Sequence, residues 1–274
     1  MSDNPFHSKS ENLLQFNNIF KFITRGFPRI IMIVSFYVIA YILYYFIKNN
    51  SKLTDVLKTY SQILLYLSGY KKINIDQSSK ELIDNNKAQI IVVNHSSYID
   101  IGVMNTLFPK AKFIASNYIK NLPVIGKHAR HNCIFLKKDF NSNLTETISE
   151  YIKNGETIIY FSEGCCSRPD ILLKLRRGAF VHKIPILPVH INYNEENIWI
   201  NGQDNMLVHY LWQLCQKTNN VDVRVGKIYE PSKDEQNDVD IFIKNFSDYY
   251  SKTFGVSLSD KEFRDHPYLF PKKN

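Results

Sequence analysis

Apolar and polar positions follow a helical rhythm over the first seventy residues and a strand rhythm afterwards. Leu13, Phe16, Phe20 and Ile23 recur at helical spacing over residues 12–24. That spacing predicts an amphipathic helix lying on a membrane, ended by Gly26-Phe27-Pro28. Ile30 to Ile47 is an uncharged run, apolar all round, at the short end of what spans a bilayer. Tyr37, Tyr41, Tyr44 and Tyr45 lie within it, the last two near one end, where interfacial tyrosines belong. Arg25 and Arg29 precede the run, and Lys48 and Lys52 follow it, so charge does not set an orientation. A helix that enters and leaves the membrane on one side is the alternative, and no small-residue cleavage site follows. A further amphipathic helix over residues 53–68 uses Val56, Leu57, Tyr60, Ile63, Leu64 and Leu67 and stops at Gly69.

From residue 72 short apolar runs alternate with helical ones. Strands are predicted at 72–75, 89–93, 112–115, 133–136, 157–161, 186–192 and 221–228, and helices at 97–107, 143–153, 205–217 and 235–253. The alternation predicts a single α/β domain, a central sheet flanked by helices, behind an N-terminal transmembrane helix. The expected boundaries are 1–29 for the amphipathic segment, 30–47 for the transmembrane helix and 48–274 for the α/β domain.

Composition narrows the partners. The chain has 274 residues, 44% of them apolar, and a formal net charge of +8. A basic balance suits nucleic acid, an anionic membrane face or a phosphorylated substrate. The basic residues are scattered and an apolar span is present, which speaks against nucleic acid. Cys133, Cys165, Cys166 and Cys215 form no Cys-x-x-Cys motif, so free thiols in a reducing compartment are expected. His128-x-x-His131 has helical spacing for a metal, but no thiol or carboxylate of known proximity completes a site, so no metal is expected.

The chemistry sits at predicted strand ends. Asn94-His95-Ser96-Ser97-Tyr98-Ile99-Asp100 follows the apolar run Ile90-Ile91-Val92-Val93. A histidine at the carboxyl end of a buried strand faces the crevice where open α/β sheets bind ligands. Five residues on an unbroken helix would leave His95 and Asp100 about 140° apart. The pair therefore works only if the chain turns after His95 before a helix begins, a turn that Ser96 and Ser97 suit and whose helix they could cap. Asp100 could then hold one imidazole nitrogen and leave the other to take a proton from an alcohol. Lys137-Lys138 end the strand Cys133–Leu136, and Ser162-Glu163-Gly164 end the strand Thr157–Phe161. If these strands are parallel, a base, cations and a carboxylate gather on one edge of the sheet. Ile184-Pro185-Ile186-Leu187-Pro188-Val189 reads as a rigid extended wall suited to an acyl channel. Before it, Lys174, Arg176 and Arg177 precede Gly178-Ala179-Phe180, either as a solvated basic face or as phosphate contacts.

In order and spacing these blocks resemble the glycerophospholipid acyltransferases: His95 to Asp100, Asn132 to Lys138, Phe161 to Cys165, and Ile184 to Val189. The resemblance covers roughly residues 85–255. His-Ser-Ser-Tyr-x-Asp, Cys166 and Arg168, Arg-Gly-Ala-Phe, Asn192 to Trp199, Leu211-Trp212 and Tyr229-x-Pro231-Ser232 look closest to the lysophosphatidylcholine acyltransferase branch.

The resemblance implies an acyltransferase-type domain and acyl transfer from acyl-CoA, as co-substrate and without a cofactor, to the hydroxyl of a lysophospholipid. His95 would be the general base, and Asp100 would fix its tautomer and steady the imidazolium. The substrate-binding set would be Lys138, Glu163, Gly164, Cys165, Arg168, Arg177 and Pro188. Glu163 and Gly164 would position the glycerol head, Lys138 would meet a phosphate, and amides near Gly164 or Ser96 are candidates for stabilising the oxyanion. The implied setting is a bilayer, the endoplasmic reticulum if the source is eukaryotic, with the catalytic domain in the cytosol.

Several positions depart from the family pattern. Asn132 stands for glycine, Lys138 for arginine, Ser162 for proline, Cys165 for threonine, and Cys166 where arginine is frequent. Lysine keeps the charge but loses the bidentate fork, and Arg168 could replace the lost cation. A lysophosphatidic acid or glycerol-3-phosphate acyltransferase shares these blocks, and an inactive membrane-bound lipid-binding protein would account for the altered ones. A hydrolase using Cys165 or Cys166 would need a nearby base.

Overall fold

Ile90-Ile91-Val92-Val93 is apolar at every position because its strand is covered on both faces. The computed structural model describes residues 4–7, 16–46, 50–116, 129–130, 132–136, 143–203 and 205–271. Its strands are β1 (Ile73–Ile75), β2 (Ile90–Val93), β3 (Lys112–Ser116), β4 (Cys133–Leu136), β5 (Ile158–Phe161), β6 (Ile171–Leu172), β7 (Ile186–Tyr193), β8 (Val221–Val225) and β9 (Ser257–Leu258). Seven of them form one sheet in the order β1-β8-β7-β2-β5-β3-β4, while β6 and β9 pair separately. The pairings in the large sheet are parallel except β7 with β8. All seven predicted strands lie in that sheet. β6 and β9, two residues each, are too short to show a period.

The helices are α1 (Phe16–Lys21), α2 (Phe27–Phe46), α3 (Asn50–Leu67), α4 (Gln77–Asp84), α5 (Asp100–Leu107), α6 (Asn143–Lys153), α7 (Met206–Cys215), α8 (Lys233–Asn237) and α9 (Val239–Phe254). Alternate residues of β2 feed two cores, as strand geometry requires. Ile91 and Val93 join Leu65, Val103 and Met104 from α3 and α5. Ile90 and Val92 join Ile148 of α6 and Phe242, Phe246 and Tyr250 of α9. The α/β architecture with helices on both faces is therefore as the alternation predicts. α4 was not anticipated, since its sequence QSSKELID is mostly polar. Its signal is the cap: the Asp76 carboxylate accepts the Ser79 N–H at 2.8 Å.

The break expected at Gly26-Phe27-Pro28 does not occur. A π-helical turn, Phe22–Gly26, joins α1 to α2, and the Phe27 N–H bonds back to Phe22 O. Pro28, which has no N–H to give, follows directly on this π turn as the second residue of α2. Gly26 allows α7 to approach: a Cβ there would lie 3.1 Å from Cys215 Sγ. Arg29 fastens the junction, donating from Nη1 to Leu214 O at 2.9 Å and Gln216 O at 2.7 Å, and from Nη2 to Lys217 O at 3.1 Å. These carbonyls end α7, where a cation is favoured. Among the described residues one helical stretch, Asn18–Ala40, is long and apolar enough to cross a membrane by length and composition. Phe36 and Tyr37 pack on Tyr60 of α3, while Ile31, Met32, Val34, Val38, Ile39 and Ile42 are exposed.

Candidate active site

β2 ends at Val93, the chain turns through residues 94–99, and α5 begins at Asp100. The turn required after His95 is present. It brings His95 Nδ1 to 2.7 Å from Asp100 Oδ2. The serines, however, do not cap α5 with their hydroxyls. Their backbone N–H groups, Ser96 at 2.8 Å and Ser97 at 3.1 Å, donate to the same Asp100 oxygen. The other oxygen, Oδ1, accepts the Tyr193 hydroxyl at 2.6 Å. Asp100 is wholly buried, whereas the His95 side chain is 20% exposed. The imidazole lies against the Phe161 ring at 4.4 Å between centroids. Asn94 locks the start of the turn to β7: its amide donates to Ile191 O at 2.9 Å and its carbonyl accepts the Ile191 N–H at 2.8 Å.

The β5 end meets the β2 end, as parallel strands require. Glu163 is fully buried. Its Oε1 accepts the His95 backbone N–H at 3.1 Å, and its Oε2 accepts the Ser167 hydroxyl at 2.6 Å and the Leu173 N–H at 3.1 Å. The Ser167 N–H returns to His95 O at 2.7 Å. Glu163 thus clamps the backbone of His95, and its oxygens are occupied by the protein rather than presented to a glycerol head. Burial pushes its carboxyl up to about 7, against the pull of the donors from Ser167, Leu173 and His95.

Other expected residues separate. Gly164 makes the turn after Glu163 with φ +84, a left-handed conformation that favours glycine, and a Cβ there would meet Arg176 Cδ at 2.8 Å. The Gly164 N–H bonds to Phe161 O and the Ser96 N–H to Asp100, so neither amide is free for an oxyanion in this conformation. Cys165 is buried and its thiol is pushed up to about 12, by burial first and then by Glu163. The Cys166 thiol is also raised, by burial and by Asp100. Thiols held neutral in this way are poor nucleophiles. Arg168 is paired with Asp170, Nε at 2.9 Å and Nη2 at 2.7 Å. Arg177 is paired with Asp240 of α9. Its neighbour Arg176 is exposed beside the Gly164 turn, its guanidinium 5.1 Å from the centroid of the Phe263 ring. Pro188 is inside the sheet, in register with Val92. It is buried and packs on Gly226, where a Cβ would come within 2.9 Å of its Cγ. Lys138, His128 and His131 lie outside the described residues.

The sequence raised Arg176 as a possible phosphate contact and Tyr193 as part of the branch-like stretch Asn192 to Trp199, but placed neither in the site, and it did not single out Ser167. No local signal pairs Tyr193 with Asp100 or Ser167 with the His95 backbone, because tertiary contacts set those partners.

Residues 74–192 match the family model described as Acyltransferase. The chain is 30% identical over 192 residues to the lysophospholipid acyltransferase LPEAT1 of Arabidopsis thaliana, covering 64% of this chain and 47% of that protein. It is 24% identical over 221 residues to lysophosphatidylcholine acyltransferase 1 of Rattus norvegicus, covering 77% of this chain and 40% of that one. The chain thus spans less than half the length of these relatives. Among solved structures, the 1-acyl-sn-glycerophosphate acyltransferase PlsC of Thermotoga maritima shares the fold. Its TM-score is 0.61 at 16% identity, over 89% of this chain and 98% of that one.

Proposed function

We propose that the chain, whose residues 74–192 match the Acyltransferase family model, is a member of the glycerophospholipid acyltransferase family and moves a fatty acyl group from acyl-CoA to the free hydroxyl of a lysophospholipid of the lysophosphatidylcholine type. The observation that carries this reading is the 2.7 Å bond between His95 Nδ1 and buried Asp100, with the imidazole partly open at the carboxyl edge of the sheet. That bond leaves Nε2 for the acceptor hydroxyl. His95 takes the hydroxyl proton as the oxygen attacks the thioester carbon. A C–O bond forms, the C–S bond breaks, and the proton passes to the departing CoA thiolate. No acyl-enzyme is needed, and the neutral thiols of Cys165 and Cys166 suit that direct route.

Arg176, with Lys138, supplies the charge that meets the acceptor's phosphate. A phosphodiester and a phosphomonoester both answer to such a cation, so a lysophosphatidic acid or glycerol-3-phosphate acceptor remains the rival within the class. The exposed apolar residues of α2 hold the protein on a bilayer, with the catalytic domain on the cytosolic side and, in a eukaryotic cell, at the endoplasmic reticulum.

The test is release of free CoA by the membrane-embedded protein, given one acyl-CoA and a panel of lysophospholipids and glycerol-3-phosphate, beside His95→Ala. Release should need an acceptor, and the alanine variant should lose it by about a hundredfold to ten-thousandfold. Undiminished release by folded His95→Ala would overturn the mechanism. No release with any acceptor would favour a lipid-binding protein.

A further inference from the structure

We propose that Tyr193 is a positioning residue of this site, holding the Asp100 carboxylate in the orientation in which it serves His95. The inference rests on the acyl-transfer reading of the His95–Asp100 pair. Tyr193 is the last residue of β7, the strand that runs beside β2. Its hydroxyl donates to Asp100 Oδ1 at 2.6 Å. The other carboxylate oxygen gathers the Ser96 and Ser97 N–H groups and His95 Nδ1. Among the described residues no other group donates to Oδ1. Tyr193 therefore holds one end of a buried carboxylate whose opposite end is bound to the imidazole.

Packing alone does not call for a hydroxyl here. Tyr193 is 5% exposed in an apolar core that includes Val93, Ile191 and Ile198, where a phenylalanine ring would occupy the same space. Burial, with Asp100 and Tyr70 adding to it, keeps the phenol far above its ordinary pKa, so it is protonated whenever the protein is folded. The ring is braced by Tyr70, edge-on at 6.1 Å. Tyr70 is held in turn by Gln213 of α7, whose amide donates to the Tyr70 hydroxyl at 3.1 Å. When His95 takes a proton, the new imidazolium stands against Asp100. A carboxylate fixed at both oxygens meets that charge without reorganising.

The titratable groups facing the pair are Tyr70, Tyr193, Tyr250 and Cys166 around Asp100, and Glu163 behind His95. The three phenols and the thiol stay neutral through burial. Tyr193→Phe removes the donor to Asp100 Oδ1 and leaves the contacts of Glu163 in place.

The experiment measures kcat and acceptor KM of Tyr193→Phe across pH, beside wild type and His95→Ala, with the thermal midpoint of each. A hydrogen bond to a charged group sets the expected loss in kcat at about tenfold to a hundredfold, with KM within about twofold of wild type. The acid limb should move to higher pH, because a carboxylate with fewer donors holds the pair's proton more tightly. An unchanged kcat and acid limb would overturn the proposal. So would a loss of rate with no shift of the limb that follows a loss of folded protein, since that marks a structural role alone. If His95→Ala keeps full turnover, the reading of the pair fails. If His95→Ala is inactive and Tyr193→Phe behaves as wild type, only the role of Tyr193 fails.

Discussion

Asp100 and Glu163 are both fully buried, one at the start of α5 and one after β5, and their partners differ in kind. Asp100 gives one oxygen to two backbone N–H groups and to His95, and the other to a hydroxyl, which can accept as well as donate. Glu163 has a backbone N–H on each oxygen, from His95 on one and Leu173 on the other, and an N–H only donates. An asparagine at 100 can therefore place its amide oxygen where Oδ2 was and turn its NH2 toward Tyr193, whose hydroxyl then accepts. A glutamine at 163 has no such solution. Either orientation sets an NH2 against a buried backbone N–H. One carboxylate supplies charge to the imidazole, and the other supplies position to the backbone that carries it.

Asp100→Asn should produce the largest effect that this comparison predicts. The variant should fold with a thermal midpoint near wild type and lose at least about a hundredfold in turnover. The sequence alone would assign that loss to a wrong tautomer. The geometry assigns it to lost charge, because the amide oxygen can still accept the Nδ1 proton. Near-normal turnover by a folded Asp100→Asn protein would break the division of labour between the two residues. Glu163→Gln should cost less, about tenfold in turnover, since one orphaned N–H shifts the His95 backbone without removing a reacting group. Glu163→Gln with wild-type kinetics would mean that the turn is held by its other bonds. Arg176→Ala should cost least, raising acceptor KM about threefold to tenfold with kcat nearly intact. An unchanged KM would remove Arg176 from the phosphate site.

The difference between the two carboxylates also marks what the sequence could reveal. The burial of β2 on both faces is written in Ile90-Ile91-Val92-Val93, apolar at every position, and the parallel order of β2 and β5 follows from strands that alternate with helices. His95 and Asp100 are legible because they are near in sequence and the steric limit on a five-residue spacing forces a turn. Glu163 is legible as a carboxylate at a strand end, but its inward direction is not. That direction is set by Ser167 and Leu173, which a local reading gives no reason to bring back to it. The same limit explains Arg177, whose spacing suits the site but whose charge is met by Asp240 across the helical layer. Pro28 fails in the other direction: a local rule for breaking helices is overridden by a π turn, packed on α7 and fastened by Arg29.

Stability, rather than rate, tests whether burial or hydrogen bonding governs Glu163. Three donors favour its charged form, and burial disfavours it. Burial wins, raising the carboxyl from its ordinary 4.5 to about 7. The folded chain then holds a proton that the unfolded chain has released anywhere between these two values. Across that window the folded state binds more protons, so the contribution of Glu163 to stability is greatest below pH 4.5 and declines as pH rises to about 7. Its full extent is about 3 kcal/mol, an upper figure because the loop can relax. Glu163→Gln has no such titration, and the remaining carboxylates are common to both proteins. The difference in unfolding free energy between wild type and Glu163→Gln should therefore move in favour of glutamine as pH rises through the window, by an amount that denaturant midpoints can follow. A difference that stays flat would mean that the donors from Ser167, Leu173 and His95 outweigh burial and keep the carboxylate ionised throughout. Glu163 would then be a permanently charged clamp on the His95 backbone.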